Sequence, residues 1–420
     1  MERLDEGALV WFRPSFPCTD RGGLSVKKGN TILSGYATTI FTVMSALANE
    51  HDAINLGQGY PDEDGPRDIR RRAADAVFEG PNQYPPMMGT PQLRRAVAAH
   101  NARFYGLDID PDTEVIVTSG ATEALCDSLL GLIEPGDEVV LIEPLYDSYA
   151  PIVRLAGGVA KTVRMEPPRW TLPREALAAA FSDKTKLIVL NSPHNPSGKV
   201  FDRDELSFIA MLLKKHDAYA VCDEVYEHLV FDGLAHIPLM CLEDMRDRCV
   251  RIGSAGKTFS LTGWKVGYIT ASPELIAPIA KAHQFVTFTT APHLQSAVAY
   301  GLAKEAAYFS ALAQTMQDKR DRLTQGLRAA GFEVMAAHGS YFITADIRSV
   351  GHVGGDVDFC RHITIEAGVT AVPVSAFYEG GGADHFVRFC FCKNDATLDE
   401  ACRRLQKHFA RSVPREGTPL

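Results

Sequence analysis

Lys257 stands in Ser254-Ala255-Gly256-Lys257-Thr258-Phe259-Ser260, hemmed by small residues directly after the apolar run Val250 to Gly253, and Lys265 follows in Gly263-Trp264-Lys265. A lysine so placed is seldom a packing choice. Buried, its amine gives up a proton readily and can attack a carbonyl carbon; the plain alternative is a solvated surface lysine. Asp223-Glu224-Val225-Tyr226 follows the run Tyr219 to Cys222. A carboxylate at the end of a buried strand costs free energy unless a cation or donor meets it, so Asp223 reads either as a helix N-cap or as the acid facing a partner that must stay protonated. Asn191-Ser192-Pro193-His194-Asn195-Pro196-Ser197-Gly198 is dense in turn formers. It reads as a simple loop or as a means of pointing two amides into a cleft. Ser119-Gly120-Ala121-Thr122 opens a helix through Glu123-Ala124-Leu125; its first N–H groups could cradle a phosphate, and a plain strand-to-helix turn capped by Ser or Thr fits equally well.

These four turns each follow a short β-branched run. The runs are Val115 to Thr118, Glu138 to Ile142, Val159 to Val163, Lys186 to Leu190, Tyr219 to Cys222, Val250 to Gly253 and Val266 to Thr270, separated by amphipathic segments of helix length. That alternation predicts an α/β fold, a mostly parallel seven-stranded sheet with helices on both faces, and ligands of such sheets gather at the carboxyl ends of the strands. Beyond about residue 305 the order changes to a long helix from Ala306 to Ala330, strands near Phe332 to Val334, Tyr341 to Ala345 and His385 to Phe391, and a closing helix from Leu398 to Arg411. This predicts a smaller α+β domain. The expected division is an N-terminal arm over 1–45, a large domain over 67–305, and a small domain from 46–66 with 306–420; the tail from Ser412 is expected to fray.

The 420 residues are 46% hydrophobic and 23% charged with a net charge of −9, which excludes wholesale disorder and argues against a duplex nucleic-acid binder, whose phosphate contacts want a basic face. Nine cysteines without a C-x-x-C pair suggest free thiols in a reducing, cytoplasmic compartment. The acidic start, Met1 to Val10, does not read as a secretory signal. Ala282 to Ala303 is charge-free and long enough to span a bilayer, yet His283, Gln284, Pro292, His293 and Gln295 within it favour buried protein. No membrane partner is expected. Gly57-Gln58-Gly59 is followed by Asp62 where a third glycine of a dinucleotide fingerprint belongs, which argues against a nicotinamide dehydrogenase.

Together the four turns meet the demands of one cofactor, pyridoxal phosphate: a phosphate cradle, a carboxylate for the pyridine nitrogen, donors for the phenolic oxygen and a lysine for the aldehyde. With Ile54-Asn55-Leu56-Gly57-Gln58-Gly59-Tyr60-Pro61-Asp62, Asn82-Gln83-Tyr84, Gly263-Trp264-Lys265-Val266-Gly267 and Arg388-Phe389-Cys390-Phe391 added in order, the chain resembles the class I/II aminotransferases of PLP fold type I over roughly 36–409. It is most similar to the branch of kynurenine and methionine aminotransferases and cysteine-S-conjugate β-lyases; enzymes of N-succinyldiaminopimelate transamination look similar too. The resemblance implies that Lys257 is the Schiff-base lysine and general base, that Asp223 pairs with the pyridinium N–H, and that Asn195 and Tyr226 bond the phenolic oxygen. It further implies that Gly120, Ala121, Thr122, Ser254 and Lys265 hold the phosphate, and that Tyr146 stacks on the ring. Arg388 would clamp the substrate carboxylate, helped by Asn195 and the Gly59 backbone, with Tyr60 beside the side chain. Tyr84 would reach the neighbouring subunit's cofactor, which implies a homodimer.

The implied reaction moves an amino group between an L-amino acid and a 2-oxo acid in ping-pong fashion. A β-lyase would use the same residues on a substrate with a leaving group. A PLP-binding regulator would need a DNA-binding module that the short front end does not offer. In the family it resembles, the side-chain pocket comes from the N-terminal segment, the 60s loop and a segment of the neighbouring subunit, which implies Ile40 to Phe41, Tyr60 and, from the neighbour, Phe288-Thr289-Thr290 here, all neutral. This favours apolar, sulfur-containing or aromatic donors such as methionine, glutamine, phenylalanine or kynurenine over those with a distal carboxylate. Arg13 and Lys28 of the arm are the cations that could overturn this by folding over the site.

Overall fold

The computed structural model describes residues 27 and 29–410. The expectations for Arg13, Lys28, the rest of the arm before residue 27 and the tail from Ser412 lie outside the described residues. After β1 (Ile54–Asn55), all seven apolar runs are strands: β2 (Val115–Thr118), β3 (Glu138–Glu143), β4 (Val159–Arg164), β5 (Thr185–Asn191), β6 (Tyr219–Asp223), β7 (Cys249–Ser254) and β8 (Gly267–Thr270). They form one sheet in the order β2-β8-β7-β6-β5-β3-β4. Only β8 runs against its neighbours, so β2 to β7 all point their carboxyl ends to the same edge.

Successive side chains in a strand face opposite ways, and here both faces are apolar. Val189 and Val221 enter one core with helices Gly120–Leu132 and Pro273–Val286. Ile188, Leu190 and Ala220 enter the other with helices Pro91–Tyr105 and Pro292–Leu302. Coverage on both sides explains why the runs read as continuous rather than alternating. Register aligns the chemistry: Asn191 lies opposite Asp223 and Asp223 opposite Ile252, while Ser254 and Thr118 flank Gly267.

Four further strands, β9 (Glu333–Val334), β10 (Phe342–Asp346), β12 (Val372–Pro373) and β13 (Phe386–Cys390), make an antiparallel sheet ordered β12-β13-β10-β9, and β11 (Val369–Thr370) pairs with β1. Helices Ala306–Ala329 and Asp395–Ala410 lie over this third core, which Met44 also joins from helix Ile40–Glu50. That helix runs across residue 45. Arg388 sits mid-strand on β13, opposite Thr344 and Val372. The stretch Ala282 to Ala303 is not uniformly buried as expected: Phe285, Val286 and Phe288 are exposed on the single chain. Among the described residues, no helix is long and apolar enough to cross a membrane.

Candidate active site

A cavity of about 460 Å³ opens where the carboxyl edge of the large sheet meets β10 and β13. Every residue expected to hold the cofactor or the substrate carboxylate lines it except Tyr84, and of the expected side-chain pocket Phe41 and Tyr60 line it while Ile40, Phe288, Thr289 and Thr290 of the same chain do not. Lys257 lies on the short helix Ala255–Thr258 that leaves β7. Its Nζ donates to the Tyr341 hydroxyl at 2.7 Å, and that hydroxyl donates to the Gly59 carbonyl at 2.5 Å. Burial pulls the amine below its ordinary pKa. Enclosed in the cavity and bonded to Tyr341, the amine gives up its proton more readily than a solvated one and is the better nucleophile and base, so the surface-lysine alternative does not hold.

Asp223 ends β6, and no helix starts there, so it is not an N-cap. One carboxylate oxygen accepts from the Tyr149 hydroxyl at 2.6 Å and the other from the Val225 N–H at 3.4 Å. Burial raises its pKa, while the Tyr149 bond works the other way. A cationic N–H brought to this carboxylate would gain a charge-assisted bond in a dry setting. Tyr226 is buried, edge-on to Tyr341 at 5.0 Å between ring centres, and burial lifts its phenol well above the ordinary range.

The cradle follows β2. Gly120 takes a left-handed φ of +75°, and Ser119 makes no side-chain cap; its N–H instead meets the Glu123 carboxylate. A Cβ on Gly267 would come within 2.6 Å of the Gly120 carbonyl carbon and 2.8 Å of the Ala121 nitrogen, so the strand β8 can run against the cradle only because residue 267 is glycine. Lys265 is itself left-handed at φ 52°, and its Nζ lies 3.4 Å from where a Gly120 Cβ would stand. An ammonium over free N–H groups at a helix start is an anion site.

Across the cavity, the buried Arg388 donates from Nη1 to Asn195 Oδ1 at 2.8 Å and from Nη2 to the Gly57 carbonyl at 2.6 Å, while its Nε is buried without a partner. The guanidinium lies 3.8 Å over the Phe342 ring. Burial lowers it to about 10, which leaves it charged at neutral pH. Asn195 is held by its own N–H on Asn191 Oδ1 at 2.8 Å, which accounts for the pair of asparagines in the turn. Tyr84 is 84% exposed, against Phe288 at 5.7 Å, and does not enter the cavity of its own chain.

Tyr149, Tyr341 and Asp147 were not foreseen. Tyr149 comes three residues after Tyr146, at the start of the helix Tyr149–Leu155, a spacing that could have suggested it; Tyr341 arrives from the turn just before β10, with no local signal.

A sequence model described as "Aminotransferase class I and II" matches residues 51–405. The chain belongs to the class I and II aminotransferases. The solved structure of N-succinyldiaminopimelate aminotransferase from Mycobacterium tuberculosis superposes with a TM-score of 0.88 at 46% identity, covering 90% of this chain and all of that one. Methionine aminotransferase of Escherichia coli is 41% identical, over 88% of this chain and 96% of that relative. Kynurenine–oxoglutarate transaminase 3 of Mus musculus is 38% identical, over 88% of each. The branch and fold implied by the motifs are those of these relatives. As an aminotransferase of this fold, the enzyme uses pyridoxal phosphate. The residues present fit that cofactor. A cradle that a single Cβ would fill, an ammonium over it, a buried carboxylate and a buried amine with a depressed pKa form the donor set such a molecule requires.

Proposed function

We propose that this aminotransferase takes its amino group from a neutral L-amino acid with an apolar, sulfur-containing or aromatic side chain and passes it to a 2-oxo acid. The observation that carries this reading is the charge of the cavity wall. The lining contributes the rings of Phe41, Tyr60, Tyr146 and Phe342, and its cations are Lys257, Lys265 and Arg388, each with a task; the remaining charge beside Asp223 is another carboxylate, Asp147. Burying an apolar side chain there is worth roughly 1.5–3 kcal/mol, whereas a distal carboxylate would meet one acid and, among the described residues of the wall, no spare cation.

The residue roles follow the same reading. Bound pyridoxal phosphate supplies an aldehyde for amine exchange and a ring that takes up the electron pair left at the substrate α-carbon. Gly120, Ala121, Thr122, Ser254 and Lys265 hold its phosphate, Asp223 keeps the ring nitrogen protonated, Asn195 and Tyr226 donate to the phenolic oxygen, and Tyr146 covers the ring. Arg388 orients the substrate by its carboxylate, with Asn195 and the Gly59 backbone completing the clamp and Tyr60 beside the side chain. Lys257 would take the α-proton as general base, and Tyr341 would offer its hydroxyl as a resting place for the Lys257 amine. Elimination from a β-substituted cysteine would use the same groups.

The active unit in this reading is a homodimer in which Tyr84 completes the partner's phosphate site. Its support is the exposure of Tyr84, Phe78, Phe285 and Phe288 on the single chain, a set of apolar rings that a second copy would cover. Residues 67–305 serve as the large domain and 46–66 with 306–420 as the small one; the separate sheets support this division, while the third core bridges it by taking in Val225, Tyr226, Leu229 and Phe231. Free thiols at the described cysteines support a cytoplasmic location.

The 46% identity to the Mycobacterium tuberculosis enzyme favours N-succinyldiaminopimelate as the rival substrate. Steady-state assays with methionine, phenylalanine, kynurenine, aspartate and N-succinyldiaminopimelate against 2-oxoglutarate separate the two. We expect kcat/KM for methionine or phenylalanine to exceed that for aspartate by about tenfold or more, an increment of one apolar contact. A dominant kcat/KM for N-succinyldiaminopimelate would mean that a cation outside the described wall serves the pocket.

A further inference from the structure

Beneath the cradle lies a buried cluster that the reaction does not use: Glu123 and Asp127 on helix Gly120–Leu132, and His283 on helix Pro273–Val286. His283 and Asp127 are wholly buried and Glu123 nearly so. His283 Nδ1 stands 2.8 Å from Glu123 Oε1, and its Nε2 stands 3.0 Å from the Met87 carbonyl oxygen. Both partners can only accept when the glutamate is ionised, so both ring nitrogens must carry hydrogen. The imidazole is therefore an imidazolium. The second oxygen of Glu123 receives the Ser119 N–H, the residue on which the cradle turns. Asp127 Oδ2 lies 3.3 Å from Nδ1 without hydrogen-bond geometry, and neither of its oxygens has a hydrogen-bond partner among the described residues.

We propose that His283 is a positioning residue for the phosphate site, a buried cation that clasps Glu123 on one side and the Met87 carbonyl on the other, and so fixes the 119–121 cradle and the 84–90 loop in one register. The clasp has two consequences. Electrostatically, Glu123 and Asp127 below the cradle would together repel a phosphate dianion, and His283, in contact with both, offsets one of the two charges. Mechanically, the same ring holds the loop that carries Tyr84, whose neighbour Met88 accepts from Val117 of β2 at 3.0 Å. The His283 carbonyl in turn receives the N–H groups of Thr287 and Phe288 at 3.2 and 2.8 Å, so the segment bearing Phe288, against which Tyr84 packs, starts from the same residue. Although burial lowers it, the contacts with Asp127 and Glu123 hold the imidazole up, to about 9.

The inference rests on the assignment of residues 119–121 to the cofactor phosphate, and wild-type enzyme stripped of cofactor is the control for that assignment. Titrating the stripped full-length enzyme with pyridoxal phosphate and, separately, with inorganic phosphate gives two dissociation constants. In His283→Gln and His283→Phe both should rise by about tenfold or more, the loss of one charge-assisted bond. Glu123→Gln keeps every contact, because an amide can accept from Ser119 and donate to a neutral His283; its constants should stay within about threefold of wild type. Leu405→Ala, a truncation in the third core, should lower Tm and leave both constants alone. Histidine 15N shifts should place His283 as the charged form at pH 7. The proposal is overturned if the His283 variants lose Tm as Leu405→Ala does while binding both ligands within twofold of wild type, or if the His283 ring is neutral at pH 7. A wild-type enzyme that ignores both ligands would instead sink the cradle assignment itself.

Discussion

Arg251 and Arg388 are both buried, one behind the active site and one in its wall, and they are treated in opposite ways. Arg251, on β7, gives Nε to Glu224 at 2.5 Å, Nη2 to Glu227 at 2.6 Å and Nη1 to Asn101. Glu227 also accepts from Tyr105 and Tyr268, and despite burial Arg251 holds its carboxyl far below the ordinary range. Arg388 has two neutral acceptors, an orphaned Nε and, among the described residues, no carboxylate at ion-pair distance. A buried charge without a counter-charge is costly. The chain neutralises the one internally; in the proposed reading the other is kept for the carboxylate of the substrate. The same contrast separates the groups that build the fold from those kept for ligands: Lys257, Asp223 and the cradle are each provided with fewer partners than their burial calls for.

The largest effect is expected where the unsatisfied group is the reacting one. Lys257→Ala should fold normally and lose transamination by about 10⁴-fold or more, since the proposed reading gives both the covalent attachment and the proton transfer to that amine. The holoenzyme's visible absorption should no longer survive dialysis. An alanine variant with unchanged rate and spectrum would end the assignment of the whole site.

Asp223→Ala comes next. Because charge on the ring nitrogen matters most as the α-proton leaves, kcat should fall by about 10²–10³ while cofactor affinity drops less. Full activity would return Asp223 to a packing role with Tyr149.

The two arginines give the direct comparison. Arg251→Met leaves Glu224 and Glu227 buried without their cation and should cost about 3–5 kcal/mol of stability, seen as a fall in denaturation midpoint with the substrate KM of surviving enzyme little changed. Arg388→Met should do the reverse. Its midpoint should hold or rise, while kcat/KM for the amino acid falls by the equivalent of about 2–5 kcal/mol. Equal losses of stability in the two variants would erase the distinction drawn between them.

The same contrast explains what could be read from the sequence. All seven strands of the large sheet were legible because both faces are buried, and the four turns were legible because each is a contiguous strand-to-helix junction that carries its own chemistry. Arg388 was not legible in that way: on a short strand a lone arginine reads as a solvated face, and only the family resemblance singled it out. Tyr341 reaches Lys257 across a sequence separation of 84 residues, and Phe41 and Phe342 join the wall from opposite ends of the chain. Such convergence leaves no local pattern. His283 was met in the sequence only as a polar residue in a charge-free stretch, since nothing near it announces two acceptors waiting on other elements.

The smallest effect is a pH dependence that sharpens the picture of groups satisfied from within. His283 is held up to about 9 against an ordinary 6.5, burial being outweighed by Asp127 and Glu123. A base whose pKa is raised on folding contributes stability that is complete below pH 6.5 and lost as pH climbs through 9. Asp127, pushed up to about 6 by burial and by Glu123, acts in a lower window, since a raised acid loses its contribution between about pH 3.8 and 6. Burial depresses His100 to about 4 and His228 to about 3. Depressed bases cost stability only below pH 6.5, so they too are silent above it. Cys390, which burial would raise but its neighbour Cys392 and Lys393 hold down to about 7, adds a rising contribution between about pH 7 and 9 in both proteins. The comparison is therefore the difference: between pH 6.5 and 9 the wild-type unfolding free energy should fall relative to that of His283→Gln, by at most about 1.4 kcal/mol per pH unit for one proton. Denaturant midpoints measured across that range for both proteins read the difference directly. Parallel slopes would mean that His283 carries no extra proton in the folded enzyme, and that the cradle stands over an unneutralised acid.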